Sequence, residues 1–245
     1  MIQKVCVVGG SSGLGLAITR KLKSLGHESI VISRSKPDQL DLLGVVHYSL
    51  DFEANNFECS LSQVLNEIGQ VDAFCFCQRF RPSIPNLASN FILEYKVMVE
   101  SIYRFLEFYL DYIADHQFFN AVIVGSSYSA SCGFDQNASY HCVKSAQRAL
   151  VAYLSVHYTN HLSINLLSPP TFMKPGTNDY WLTTDKYKVW QESMGHSFPQ
   201  AETIADSIIN FLLTINPSLS GNNIMLDYGL SNLYFDQKKS GLSGQ

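Results

Sequence analysis

The sequence predicts an α/β fold in which one doubly wound parallel sheet of seven strands carries helices on both faces. Seven short apolar runs alternate along the chain with segments of helical periodicity, which is the pattern of βαβ units. The apolar runs are continuous rather than alternating, as expected of strands that are buried on both faces. Right-handed crossovers between such strands place helices on both sides of the sheet.

The elements can be placed in chain order. The predicted strands are 4–9, 29–33, 45–50, 72–76, 121–125, 163–168 and 223–227. The predicted helices lie near 14–25, 57–68, 90–115, 138–160 and 200–215. No repeat or linker divides them, so residues 1–245 are predicted to form a single domain. The irregular stretch 170–199, with a short helix at 178–193, is a candidate substrate lid, and the polar tail 230–245 is predicted to fray.

Composition and charge limit the classes of function. The chain is 46% hydrophobic and 16% charged, which is globular composition and argues against a disordered or fibrous protein. The net charge is −4 with no basic stripe, which argues against nucleic acid as a partner. The apolar runs are far shorter than the roughly 20 residues of a membrane helix. These features favour a small molecule as the main partner.

Cysteine usage and the N-terminus indicate the compartment. Cys6, Cys75 and Cys77 lie in apolar, strand-like runs, which favours buried thiols in a reducing cytoplasm. The C-x-C at 75–77 has no second pair at a zinc-ligand spacing, so no metal site is expected. The N-terminus runs directly into a strand without a signal-peptide core. The sequence therefore predicts a cytoplasmic location.

A glycine-rich turn joins the first strand to the first helix. It reads Val8-Gly9-Gly10-Ser11-Ser12-Gly13-Leu14-Gly15. Gly9 allows a tight turn, Gly13 lets the backbone approach a phosphate, and Gly15 lets the helix pack closely on the strand. The helix N-terminus then offers N–H groups and its positive dipole end to a pyrophosphate. The turn predicts a Rossmann-type dinucleotide site; the alternative is a tight turn between packed elements.

The end of the second strand indicates which dinucleotide binds. A site for NAD usually has an acid there that accepts from the ribose 2′-hydroxyl, and here the residues are Ser33, Arg34 and Ser35. A guanidinium suits a 2′-phosphate, and the two serines add donors. We therefore expect the protein to bind NADP(H) in preference to NAD(H), with NAD(H) as a possible second cofactor. The alternative is a solvated arginine at a strand end.

A Y-x-x-x-K pattern at Tyr140 and Lys144 carries the predicted chemistry. Residues four apart share a helix face, so both side chains can line one cleft. A nearby ammonium favours the phenolate and suits Tyr140 to exchange a proton with a carbonyl or an alcohol. Ser127, 13 residues earlier, follows an apolar strand and can stabilise charge on the same oxygen. A second such pattern, Tyr234 and Lys238, has no serine at the matching distance and is interpreted as accidental.

The spacing G-x-x-x-G-x-G, with Ser127, Tyr140 and Lys144, resembles the classical branch of the short-chain dehydrogenase/reductase family. Ser168-Pro169-Pro170 resembles the family's S-P-G, and residues 220–229 resemble its C-terminal T-G-x-x-x-x-x-D-G-G. The resemblance implies a homodimer or homotetramer, a Lys144 that also holds the nicotinamide ribose, and an Asp51 that contacts the adenine. The cofactor-binding residues predicted from the turn, the second strand and the resemblance are Gly9, Ser11, Ser12, Gly13, Leu14, Gly15, Ser33, Arg34, Ser35, Asp51, Phe52, Cys77, Gln78, Tyr140, Lys144, Pro169 and Thr171.

Several positions depart from the family pattern. Val8 replaces the usual Thr of the loop, Pro170 replaces the Gly of S-P-G, and the stretch from Phe76 to Arg79 replaces N-N-A-G. Glu100 aligns with the active-site Asn that holds a water in the proton relay. Either Glu100 is catalytic in an altered relay, or the neighbouring Ser101 takes part instead.

Three residues are candidates for binding the substrate. Arg79 and Arg81 stand near the expected cleft and can bind an anionic group by forked contacts, with solvated arginines as the alternative. Trp181, in the lid, can stack on a ring or a sugar, with simple packing of the lid as the alternative.

The sequence therefore predicts an NADP(H)-dependent oxidoreductase that interconverts a carbonyl and an alcohol on a small polar metabolite, anionic or sugar-like. One alternative is a weakly active or inactive NADP(H)-binding sensor or scaffold, which Glu100, Arg79 and Pro170 motivate. The other is a 3-oxoacyl-thioester reductase, which a basic patch at the cleft mouth would favour.

Overall fold

A seven-stranded parallel sheet forms the centre of the computed structural model, which describes residues 3–80, 89–113, 117–127, 138–174, 182–195, 197–214 and 217–229. Its strands are β1 (Lys4–Val8), β2 (Glu28–Ser33), β3 (Val46–Ser49), β4 (Ala73–Phe76), β5 (Phe119–Val124), β6 (Leu162–Ser168) and β7 (Asn223–Met225). The order across the sheet is β3-β2-β1-β4-β5-β6-β7, and every neighbouring pair is parallel. The predicted fold class is confirmed.

Helices connect the strands. They are α1 (Gly13–Ser24), α2 (Asp38–Leu42), α3 (Phe57–Ile68), α4 (Ser89–Tyr95), α5 (Ser101–Tyr112), α6 (Ala138–His157), α7 (Asp185–Met194) and α8 (Ala201–Leu212). A π-helical segment, Lys96–Glu100, joins α4 to α5, and a short 3₁₀ turn spans Pro217–Leu219. The single helix predicted over 90–115 is thus three successive segments. Helix α2 was missed because five residues are too few to show a helical period.

Local signals set the ends of the helices. Helix α1 carries Lys21 and Lys23 in its last turn, where they face the negative end of the helix dipole, and Gly26 follows with φ +82°. Helix α7 begins after Thr184, whose Oγ1 accepts from the Tyr187 amide at 3.3 Å. That cap accounts for the start of α7 at Asp185. The first residues of the helix predicted over 178–193, 178–181, lie outside the described residues.

Two apolar layers hold the helices against the sheet. Val5 and Val7 of β1 pack with side chains of α1 and α8. Cys6 and Val8 of the same strand pack on the opposite face, with side chains of α3, the π segment, α5 and α6. This alternation follows from the two-residue period of a strand. In the described part of the chain, no helix is long and apolar enough to cross a lipid bilayer.

The topology creates a crevice. Strand β1 has β2 on one side and β4 on the other, so the connections that leave β1 and β4 run to opposite faces of the sheet. In open parallel sheets, ligands bind at such a switch point, outside the carboxyl ends of the strands.

Candidate active site

A cavity of about 450 Å³ opens at the carboxyl ends of β1, β2, β4 and β5. Most of the residues predicted to bind cofactor or substrate line it. Those in the lining are Gly9, Ser11, Ser12, Gly13, Leu14, Gly15, Ser33, Arg34, Ser35, Asp51, Phe52, Cys77, Gln78, Arg79, Tyr140, Lys144 and Pro169. Thr171 and Ser127 are not in the lining, although their neighbours Pro170 and Ser126 are. Arg81 and Trp181 lie outside the described residues.

The glycine turn is held by contacts that exclude side chains. Gly9 has φ +80°, and a Cβ atom there would lie 2.7 Å from the Gln78 amide nitrogen. A Cβ atom on Gly15 would overlap the Gly9 carbonyl oxygen. Ser12 occupies the N-cap of α1 but its side chain makes no capping hydrogen bond. The N–H groups of the first turn of α1 are therefore not capped by Ser12, which fits an anionic group at the positive end of the helix.

Arg34, in the lining of the same cavity, is paired with a carboxylate. Its Nη1 lies 2.9 Å from Oε1 of Glu53, and the Arg34 side chain is 58% exposed. The backbone amide of Glu53 in turn donates to Asp51 Oδ1 at 3.0 Å. Ser33 Oγ donates to the Ser35 carbonyl at 2.8 Å, so its hydroxyl proton is already used.

Three charged or polar side chains meet at the start of α6. The Lys144 Nζ atom lies 5.8 Å from the ring centroid of Tyr140, and the guanidinium carbon of Arg79 lies 5.0 Å from the same centroid. Both distances are within the range of cation–π attraction. The predicted pair of Tyr140 and Lys144 thus lines the same cavity as the glycine turn. The amide of Ser127 donates to the Pro169 carbonyl at 2.9 Å, which ties the end of β5 to the loop after β6.

Lys144 is buried, and burial changes its protonation. Its Nζ donates to the Val124 carbonyl at 2.9 Å and to Gln147 Oε1 at 3.0 Å. Desolvation, helped by the positive charge of Arg79, lowers the pKa of Lys144 to about 7. Cys77 and Glu94 oppose that change. Around neutral pH the lysine is therefore divided between its charged and neutral forms.

This lowered pKa predicts how stability depends on pH. The folded-state pKa of Lys144 is about 7 and the ordinary value is 10.5, so unfolding takes up a proton between those pH values. The free energy of unfolding therefore rises with pH across this window. Below about pH 7 this residue makes the free energy of unfolding neither rise nor fall with pH. We expect the melting temperature of the wild type, relative to that of Lys144→Met, to rise by several degrees between pH 7 and pH 10. In a chain of this size, 1 kcal/mol of stability corresponds to about 2–4 °C in melting temperature.

Thermal unfolding of both proteins at a series of pH values measures this effect. The exposed Lys188, whose Nζ pairs with Asp185 at 3.2 Å, supplies the control variant Lys188→Met. Its melting temperature should follow that of the wild type at every pH. Parallel curves for the wild type and Lys144→Met would contradict the prediction.

The structure does not bring Glu100 to the cavity. Its side chain is exposed and lies outside the lining. The π-helical segment holds more residues per turn than an α-helix and so shifts the face that follows it. Ser101 is buried instead: its Oγ donates to the Val97 carbonyl at 2.6 Å and lies 3.4 Å from Gln78 Nε2. The geometry places Ser101, the alternative from the sequence, beside the site.

The insert after β6 is partly described. Trp190 and Tyr187 of α7 are buried against Phe198 and Met173, so these aromatics pack the insert onto itself. Lys174 lines the cavity. The rest of the predicted lid, 175–181 and 196, lies outside the described residues.

Among the residues at the site that sequence reasoning missed, three bear on its charges and hydrogen bonds. Glu53 and Lys174 line the cavity, and Gln147 bonds Lys144. Gln147 was detectable, because it continues the helix face of Tyr140 and Lys144 by three residues. Glu53 and Lys174 lie in loops, where no periodic pattern in the sequence indicates which way a side chain points. No group of three or more His, Cys, Asp or Glu side chains arranged to hold a metal ion occurs among the described residues.

The family model for short chain dehydrogenases matches residues 3–182. No curated protein sequence matches the chain. Solved structures share its fold. The Pseudomonas aeruginosa RhlG/NADP active-site complex aligns with a TM-score of 0.80 at 19% identity, over 94% of this chain and 97% of that one. Aldohexose dehydrogenase of Thermoplasma acidophilum, in ligand-free form, aligns with a TM-score of 0.78 at 17% identity, over 94% and 95%.

Cj0485 dehydrogenase aligns with a TM-score of 0.77 at 20% identity, over 94% of this chain and 95% of that one. These likenesses show that the chain shares the fold of these proteins. The family model covers most of the chain, including β1 to β6, Tyr140 and Lys144. The chain belongs to the short chain dehydrogenase family and is, in its general class, an oxidoreductase.

Proposed function

We propose that this protein is an NADP(H)-dependent oxidoreductase that interconverts a carbonyl and an alcohol on a small polar, anionic or sugar-like metabolite. The observation that carries the proposal is one shared cavity. It is lined by the uncapped N-terminus of α1, by Arg34 and by the neighbouring Tyr140 and Lys144. A dinucleotide fits this lining, because the glycines leave room for phosphates and the helix end attracts them.

The bound dinucleotide would supply or accept the hydride, and the chain's own residues would handle the proton. Tyr140 donates its phenolic proton to the carbonyl oxygen in reduction and takes it back in oxidation. Ser127 donates a hydrogen bond to the same oxygen and stabilises its developing charge. Lys144 in its charged form, with Arg79, stabilises the phenolate that remains. Lys144 would also hold the nicotinamide ribose.

A substrate screen tests the activity. Purified protein is mixed with NADPH and a panel of ketones and aldehydes that carry a carboxylate, a phosphate, a sugar or an acyl thioester, and loss of NADPH absorbance is followed. Turnover of any compound supports an oxidoreductase and identifies its substrate class. Turnover confined to the thioester supports the ketoreductase alternative. Dinucleotide binding without turnover of any compound supports the sensor or scaffold alternative.

The preference for NADP(H) rests on Arg34, which lines the cavity and pairs there with Glu53. We expect Arg34→Ala to weaken NADPH binding about 10- to 150-fold, the loss of a charged hydrogen bond of about 1.5–3 kcal/mol. NADH binding should change little. Glu53→Gln should tighten NADPH binding, because it frees the guanidinium and removes a negative charge beside the 2′-phosphate.

Fluorescence titration of each variant with NADPH and NADH measures these affinities. Lys36 supplies the control variant Lys36→Ala: its Nζ pairs with Asp41, and it does not line the cavity. That variant should bind both dinucleotides as the wild type does. An equal loss of NADH and NADPH affinity in Arg34→Ala would remove the proposed preference.

The anionic character of the substrate rests on Arg79 and Lys174, two cations in the lining. Arg79 lies over the Tyr140 ring, within reach of a group bound beside the reacting carbon. We expect Arg79→Leu to raise KM about tenfold or more for a carboxylate or phosphate substrate, and much less for a neutral one. Steady-state kinetics with such a pair, and Arg148→Ala as an exposed control on α6, check this. Equal losses for both substrates would contradict an anion subsite.

We also propose that the protein forms homodimers or homotetramers. The exposed apolar side chains Ile92 on α4 (72%) and Val156 on α6 (71%) support an interface on this side of the molecule. Light scattering of the purified protein gives the molar mass. A monomer at micromolar concentration would reject the proposal.

A further inference from the structure

The side chain of Gln147 links Lys144 to the π-helical segment. Gln147 is 1% exposed. Its Oε1 accepts from Lys144 Nζ at 3.0 Å, and its Nε2 donates to the Met98 carbonyl at 2.7 Å. Lys144 Nζ also donates to the Val124 carbonyl at 2.9 Å. Three hydrogen bonds thus join β5, α6 and the π segment beside the cavity.

A primary amide suits the chemistry of this link. An ammonium group only donates hydrogen bonds, and a backbone carbonyl only accepts them. The bridging group must therefore accept at one end and donate at the other, which an amide does and neither a carboxylate nor an apolar group can do. The partners also fix the orientation of the amide, since a flipped Gln147 would present donor to donor and acceptor to acceptor.

The π segment supplies a reason for the second bond. In a π-helix the backbone bonds run from i to i+5 rather than from i to i+4, so the partners of the carbonyl groups change where it meets an α-helix. Two of its carbonyls are bonded by side chains: Val97 by Ser101 Oγ at 2.6 Å, and Met98 by Gln147 Nε2. A buried carbonyl left without a partner destabilises the folded state. Gln147 therefore stabilises the helix distortion and the lysine position with one side chain.

We propose that Gln147 is a positioning residue for the reaction, which holds the Lys144 ammonium against β5 and favours its charged form. The inference rests on the proposed function, in which Lys144 acts as a cation beside Tyr140. Gln147 itself does not line the cavity. It acts on Tyr140 only through the lysine.

The groups around Lys144 set the direction of the expected effects. Burial and Arg79 lower the pKa of Lys144 to about 7, whereas Cys77 and Glu94 raise it. The ring of Tyr140 lies 5.8 Å from Nζ. The amide oxygen of Gln147 adds an acceptor that the charged form needs. Its removal in Gln147→Leu should lower the pKa of Lys144 further, and the carboxylate in Gln147→Glu should raise it.

Nuclear magnetic resonance of protein labelled with ¹³C at lysine Cε measures this pKa without substrate or dinucleotide. The Lys144 signal is assigned by its absence in Lys144→Arg. We expect the titration midpoint to move down by about one pH unit in Gln147→Leu and up by at least as much in Gln147→Glu, about a tenfold change in proton affinity each. An unchanged midpoint in a folded variant would overturn the proposal.

A matched control separates this role from general packing. Gln117 Nε2 donates to the Val71 carbonyl at 3.3 Å and to the Tyr109 hydroxyl at 3.4 Å, away from the cavity. Gln117→Leu should lower thermal stability and leave the Lys144 midpoint in place. If Gln147→Leu does not fold, the nearly isosteric Gln147→Glu decides by the sign of its shift.

Kinetics give a second readout once a substrate is known. Activity that needs charged Lys144 is lost as pH rises through the pKa of the lysine. The alkaline limb of the kcat profile should then move to lower pH in Gln147→Leu and to higher pH in Gln147→Glu, with KM little changed. Midpoint shifts without any turnover would refute the proposed oxidoreductase and keep the Gln147–Lys144 link. Turnover with unchanged Lys144 midpoints in the Gln147 variants would support the oxidoreductase and overturn the Gln147–Lys144 link.

Discussion

Tyr140→Phe is expected to lower kcat about 10²- to 10⁴-fold, the usual contribution of a positioned general acid or base. Phenylalanine keeps the ring that packs beside Lys144 and Arg79 and removes only the phenolic hydroxyl, which carries the exchangeable proton. Binding of NADPH should therefore stay within a few fold of the wild type. The measurements are kcat on any substrate found in the screen and the dissociation constant of NADPH by fluorescence.

The matched control for this variant is Tyr153→Phe. Tyr153 lies on the same helix, α6, with an exposed ring stacked on His157 at 3.9 Å between centroids. That variant should keep wild-type kcat. If Tyr140→Phe turned over at close to the wild-type rate, the acid/base role of Tyr140 would be refuted and proton transfer would have to be assigned to another group.

Gly15→Ala is expected to weaken binding of NADPH about 5- to 150-fold. The new Cβ would overlap the Gly9 carbonyl oxygen and would lie 3.0 Å from Gly10 Cα. Both neighbours are backbone atoms, so the phosphate-binding turn has to move, and such overpacking costs about 1–3 kcal/mol. Fluorescence titration with NADPH, together with the melting temperature of the free protein, gives the size of the effect.

The helix propensity of alanine has the opposite effect on stability to the overlap at Gly15, so the two effects can be told apart. Gly15 is part of α1, and alanine favours a helix over glycine by about 1 kcal/mol. Without the overlap, Gly15→Ala would therefore stabilise the protein. Ser24→Ala, at the exposed end of the same helix, serves as the control and should leave NADPH affinity unchanged. Unchanged affinity in Gly15→Ala would mean that the turn adapts and that close packing at Gly15 is not required.

The sequence was a good guide to the sheet and a poorer one to the helices beside the cavity. Continuous apolar runs predicted all seven strands. The five inner strands are largely buried, which leaves a strong local signal, whereas the edge strands β3 and β7 are only partly buried. The helix predicted over 90–115 has a π segment in the middle, and no periodicity in side chains indicated it. Glu100, the last residue of that segment, is exposed, and Ser101, which follows it, is buried.

The candidate site divides in the same way. Spacing along one helix predicted that Tyr140 and Lys144 face the same cleft, and the glycine turn predicted where phosphates fit. The pairing of Arg34 with Glu53 was not predictable, because it joins two loops 19 residues apart. Arg79 was expected at the cleft, but its position over the Tyr140 ring depends on how β4 and α6 meet.

The sequence by itself determined the order of strands and helices, the glycine turn and the spacing of Tyr140 and Lys144 on one helix, because each depends on residues close together in the chain. Only the tertiary structure decided the environment of Lys144. Its burial, its bond to Val124 and the nearby charge of Arg79 come from separate elements brought together by the sheet. Desolvation and charge act through space, so they set the protonation of a lysine that the sequence could only locate.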